Sequence, residues 1–141
     1  MNLLLTTPPS IPEVISENLT GVVFLIHGTR NVEAQSYIYE AMTRLCPLFA
    51  QTLELPLASV TYSFLEIMEP ALEVVLKEMC AAGKTDLRVV PLLLFPGSHL
   101  NHDIPRIARE MMEQFPNVHI NVGECIGVND PEFLSILLKR L

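Results

Sequence analysis

Cysteine is scarce in this chain and nowhere arranged in a pair. Cys46, Cys80 and Cys125 lie far apart and no CxxC occurs. Neither a disulfide framework nor a structural zinc site is suggested, and a reducing, cytoplasmic compartment fits best. Basic residues are also few: nine Lys and Arg stand against sixteen Asp and Glu, for a net charge of −7. Without a basic cluster the chain has no electrostatic footprint for nucleic acid, although a few local donors could still hold a small anion. No apolar run approaches the ~20 residues that span a bilayer, so no membrane segment is expected. The start, "MNLLLTTPPSIPEV", has no basic residue and only three leucines in a row, and does not read as a secretion signal. No GxGxxG or P-loop follows a strand, which counts against a nucleotide- or flavin-binding protein, and no HExxH marks a closed metal site.

What is present is a core-forming chain. Half of the 141 residues are apolar and 18% are charged, which excludes disorder. This length suits one domain that buries about 68–70% of its surface. Residues 1–20 carry three prolines and read as a loose N-terminal arm, leaving 21–141 as a single domain. From there the pattern alternates. "GVVFLI" (21–26) is a short continuous apolar run, the mark of a strand buried on both faces. Helical spacing then places Ala34, Ile38, Ala41 and Leu45 on one stripe from Asn31 to about Gln51. A second strand falls at "ASVTYSFL" (58–65), and a helix from Pro70 runs to the stop at Gly83. A third strand, "LRVVPLLLF" (87–95), contains Pro91, which demands a bulge or a non-pairing position. The next helix is expected from Asp103, whose carboxylate can cap it, to just before Pro116. "VHINVGEC" (118–125) gives a fourth strand and Asp130–Pro131 a last short helix. The fold expected is α/β: a four-stranded, mostly parallel sheet flanked by helices.

Ligands of open α/β sheets gather outside the carboxyl ends of the strands. Three such ends carry chemistry here: "IHGTR", "FLEIMEP" and "FPGSHLNHD". Each group has an ordinary reading beside the functional one. His27 serves either as a turn histidine bonded to a carbonyl or as a base and ligand, beside a glycine that lets a ligand approach. Glu69 either caps a helix at Pro70 or faces a ligand, and Glu66 is either solvated or accepts protons. His102 suits a solvent-facing first turn better than a ligand role, and His119 lies at the opposite edge. Arg30 and Arg106 offer either carboxylate recognition or surface salt bridges. Two neutral imidazoles and a carboxylate suit a borderline divalent ion such as Co²⁺, Ni²⁺, Fe²⁺ or Zn²⁺.

The three motifs, in this order and spacing, resemble the small sirohydrochlorin chelatases, the CbiX-like class II tetrapyrrole metal chelatases. The residues that carry the resemblance are His27-Gly28-Thr29-Arg30, Leu65-Glu66-Ile67-Met68-Glu69-Pro70, Gly97-Ser98-His99 through Asp103-Ile104-Pro105, and "IGVNDP" near the end. It covers about residues 21 to 141 and implies a chelatase-like half-domain. The family pattern has serine where Thr29 stands, and threonine keeps the hydroxyl. The resemblance implies a cobaltochelatase or ferrochelatase, a lyase that inserts Co²⁺, Fe²⁺ or Ni²⁺ into a sirohydrochlorin-type tetrapyrrole for cobalamin or siroheme synthesis. Cobalt is the first choice, the metal is a substrate, and no cofactor is permanently bound. It implies His27 and His99 as metal ligands and catalytic groups, with Glu66 as a further acid/base. Glu69, Leu94, Phe95, Pro96, Gly97 and Ser98 would contact the macrocycle; apart from the resemblance, the substrate's carboxylates in an acidic protein call for local donors, for which Arg30 is a candidate. A homodimer with the cleft between subunits is also implied. The alternative is a tetrapyrrole or metal carrier without turnover. Insertion needs the loss of two pyrrole protons and the stripping of water from the ion. A neutral imidazole serves both needs, so activity is expected to rise with pH through the range near ~6.5 where free imidazole titrates.

Overall fold

The computed structural model describes residues 19–127 and 130–141, with the side chains of His99 and Leu100 outside that description. The expected N-terminal arm therefore lies almost wholly outside the described residues. The strands are β1 (Thr20–Ile26), β2 (Val60–Phe64), β3 (Asp86–Pro91) and β4 (His119–Val122). The helices are α1 (Val32–Leu53), α2 (Leu72–Ala81), α3 (Ile104–Gln114) and α4 (Pro131–Leu138). All strand pairings are parallel, in the order β2-β1-β3-β4.

The apolar run of β1 is continuous because β1 is central and covered on both faces. Val22 and Phe24 point into one cluster with Met42, Cys46 and Ala50 of α1. Val23 and Leu25 point into the other, with Leu72, Val75 and Leu76 of α2 and Ile104, Ile107 and Ala108 of α3. Each fully buried aliphatic or aromatic side chain contributes about 1.5–3 kcal/mol of transfer free energy. The Phe24 ring meets Phe49 edge-on at 4.9 Å, which fixes α1 over the strand. No buried side-chain nitrogen or oxygen among the described residues lacks a hydrogen-bond partner.

Helix starts show where local chemistry acts. Asn31 caps α1, its side chain accepting from the Ala34 N–H at 3.0 Å. The helix then continues through Pro47, one backbone donor short. The helix expected from Pro70 begins at Leu72, and its cap position is Ala71, with no side-chain hydrogen bond. Glu69 is thus not a cap. The capping role expected of Asp103 is also corrected. A π-helical turn, His99–Asp103, has already wound the chain, so Asp103 has helical angles and makes no capping bond.

Pro91 resolves as the last residue of β3, fully buried and opposite Leu25 of β1. The next residue, Leu92, donates to the Leu25 carbonyl at 2.8 Å. Alternation then turns the missing donor of Pro91 toward β4, where Gly123 still donates to the Val89 carbonyl at 2.9 Å, and the regular ladder stops there. Beyond Pro91 the expected strand to residue 95 survives only as single bonds, from Ile126 to Leu93 and from Gly127 to Leu94. β4 likewise ends at Val122 rather than 125. Among the described residues no helix is long and apolar enough to cross a membrane.

Candidate active site

The strand order reverses at β1: β2 lies on one side and β3 on the other. This is the switch point at which open parallel sheets leave a crevice above their carboxyl ends. Three segments rise there: 27–30 after β1, 65–70 after β2 and 92–98 after β3.

The first two segments are joined directly. The Leu65 N–H donates to the Ile26 carbonyl at 2.9 Å and the Glu66 N–H to the His27 carbonyl at 3.2 Å. The approach is so close that a Cβ on Gly28 would collide with the Glu66 carbonyl oxygen, and Gly28 also has φ +100°. Glycine is required here on both counts. The Glu66 carbonyl accepts from Met68 at 2.7 Å across a tight turn in which Ile67 takes φ 70°.

The result is a pair. His27 Nε2 lies 3.6 Å from Glu66 Oε1, with about half of each side chain exposed (53% and 45%). That separation is within ion-pair reach but longer than a hydrogen bond, and an open pair of this kind contributes little to stability. Its interest is chemical. His27 Nδ1 lies 3.3 Å from the Gly28 carbonyl. A proton on Nδ1 donates to that carbonyl, and Nε2 is then an acceptor facing a second acceptor, Glu66. Two acceptors at this distance attract a proton or a cation between them.

After β3, Leu94 and Phe95 stand 45% and 64% exposed, and Pro96, Gly97 and Ser98 continue the exposed segment. Leu94, Phe95 and Pro96, with Gly123, Cys125 and Ile126, border a cavity of roughly 700 Å³, which Gly97 and Ser98 do not line. Neither His27 nor Glu66 lines it. The contribution of residues 123–127 was not foreseen among the site residues; the run "IGVNDP" was the signal, although its Val128 and Asn129 lie outside the described residues. Glu69 and Arg30 are exposed, and neither lines that cavity. Arg106 turns instead to Glu110, at 2.9 Å on the same helix, which is its salt-bridge reading. His102 is exposed on the π-helical turn, and His119 starts β4 at the far edge.

His99 opens the π-helical turn that follows this segment in the chain, but its side chain lies outside the described residues, so its pairing with His27 stays a proposal. Among the described residues no group of three or more His, Cys, Asp or Glu side chains could hold a metal ion. Burial pushes the Cys46 and Cys80 thiols up, which keeps them protonated and removes them as ligands.

The fold has close counterparts. The chain superposes on the sirohydrochlorin chelatase SirB from Bacillus subtilis subspecies spizizenii, in complex with cobalt, with a TM-score of 0.71 at 29% identity. The match covers 86% of this chain and 49% of that one. It is 30% identical over 123 residues to the sirohydrochlorin ferrochelatase of Priestia megaterium, covering 87% of this chain and 44% of that protein. It is also 30% identical over 121 residues to the sirohydrochlorin cobaltochelatase of Sulfurisphaera tokodaii, covering 86% and 90% respectively. The chain thus spans less than half the length of the ferrochelatase and nearly all of the cobaltochelatase. All three motif-bearing strand ends fall within residues 21–141, the stretch matched by the CbiX family model, and the chain belongs to the CbiX family.

Proposed function

We propose that this chain is a sirohydrochlorin chelatase that inserts a divalent ion into the tetrapyrrole, with cobalt the first choice and iron or nickel the others. The observation that carries the proposal is the His27–Glu66 pair, an imidazole nitrogen and a carboxylate oxygen 3.6 Å apart at the switch point of the sheet. Inserting a metal removes two pyrrole protons and replaces water around the ion. His27 Nε2 takes one pyrrole proton and Glu66, facing it, accepts the other, and both protons pass on to solvent from these half-exposed groups. The same nitrogen, when neutral, displaces water from the incoming ion, with His99 as the second ligand. Leu94 and Phe95 offer an apolar surface to the face of the macrocycle, with Pro96, Gly97, Ser98 and Glu69 around it. Arg30 is the exposed cation nearest in sequence to the pair and suits the substrate's carboxylates. Relatives named for iron and for cobalt both resemble this chain, so the choice of cobalt, and of cobalamin over siroheme synthesis, belongs to this proposal. So do the homodimer, the cytoplasmic location and the single domain over residues 21–141.

The test follows the absorbance of sirohydrochlorin with Co²⁺, Fe²⁺ or Ni²⁺ against the uncatalysed rate. Acceleration with turnover supports the proposal. Stoichiometric spectral change without acceleration identifies the carrier instead, and competition among the three ions ranks them.

A further inference from the structure

The loops that carry His27 and Glu66 both lie beyond their strands, and both include a residue with positive φ, Gly28 and Ile67. Strand pairing holds their beginnings, through Leu65 and Glu66. Their far ends are held from elsewhere. Gln35 Nε2 donates to the Thr29 carbonyl at 2.7 Å, two residues beyond His27. The Tyr39 hydroxyl donates to the Glu69 carbonyl at 2.7 Å, three residues beyond Glu66. Gln35 and Tyr39 are one turn apart on α1, so they present to the same side of one rigid element. The Tyr39 ring is itself located by edge contact with Phe64 at 5.6 Å, and Phe64 is fully buried. At the Gln35 end the loop is tied further, the Thr29 hydroxyl accepting from the Asn31 N–H at 3.2 Å.

We infer that Gln35 and Tyr39 are positioning residues: a two-point clamp from one face of α1 that sets the distance between His27 and Glu66. Neither touches the reacting atoms. A metal ion can gather ligands that wander, because coordination itself orders them. Proton transfer between fixed partners has no such aid and depends on geometry already in place. Loosening the clamp therefore slows turnover more than it weakens metal capture.

The catalytic arm of the test rests on the chelatase reading; the structural arm does not. In Tyr39→Phe the ring packing is kept and one hydrogen bond is lost. Amide hydrogen exchange over residues 65–70 is expected to quicken by up to ~10-fold, the scale of one hydrogen bond, while α3 exchanges as before. Gln35→Leu is expected to do the same over residues 27–31. Sirohydrochlorin metallation by either variant should lose kcat by roughly 3–10-fold, with KM for the metal unchanged. Unchanged exchange in both loops overturns the clamp, as does a loss confined to KM. If the unaltered chain shows no metallation, the chelatase reading fails, and the exchange result alone decides the clamp.

Discussion

Gly28 is the residue on which the site's geometry turns most sharply. A side chain there faces two separate penalties: a backbone angle of φ +100°, and collision with the Glu66 carbonyl. Gly83 supplies the control, since it has φ +92° and nothing within 4 Å of an added Cβ. Gly83→Ala should cost about 1 kcal/mol, the backbone term alone, whereas Gly28→Ala should cost more and remove metal insertion. Urea unfolding of both variants measures the difference, and equal costs would mean that the two loops do not meet as described. His27→Ala and Glu66→Gln test the pair itself. Both side chains are about half exposed, so unfolding free energies should stay within about 0.5 kcal/mol of the parent. Metal insertion should fall at least tenfold in each, and a fully active His27→Ala protein would defeat the assignment. The placement of His27 and Glu66 just beyond two strands was legible in the sequence, because each follows an apolar, strand-forming run, His27 next to Gly28 and Glu66 four residues before Pro70. The closeness of the two loops was not, because it depends on the register of β1 against β2, which side-chain identities do not encode.

At the level of elements, the strands were legible because β1 and β3 bury side chains continuously or by strict alternation, and no other pattern reads that way. Their ends were less so. β3 stops at Pro91 although "LLLF" continues in strand-like residues, since Pro91 has no N–H to extend the ladder past Val122. Asp103 has the composition of a cap, but composition cannot show that a π-helical turn has already started one turn earlier. The converse case is Ala71, which occupies a cap position with extended angles (φ −69°, ψ 151°) and no side-chain acceptor to offer. Serine there can accept from the first-turn N–H groups of α2 that the alanine leaves without a side-chain acceptor. Ala71→Ser is expected to stabilise the protein by about 0.5–1 kcal/mol, read as a higher urea midpoint at unchanged slope. An unaltered midpoint would show that the first turn of α2 already has its donors satisfied.

For the molecule as a whole, the unresolved balance lies at α4. Asp130 caps this helix, accepting from the Glu132 N–H at 2.9 Å, yet the helix buries none of its residues. Leu134, Ile136 and Leu137 are each about half exposed, and Leu94, Phe95 and Ile126 are open at the strand ends. Such apolar area costs about 25 cal/mol for each Å² left in water, and two short helical turns do not hold together alone. The homodimer proposed above would relieve this cost if the subunits meet across these surfaces, with the cleft over the strand ends between them. Sedimentation equilibrium should then give twice the mass of the 141-residue chain at micromolar concentration, and hydrogen exchange across 131–138 should slow as concentration rises. A monomer at every concentration, with α4 exchanging at a constant rate, would remove the dimer from the proposal. It would leave the His27–Glu66 pair untouched, since both members belong to one chain.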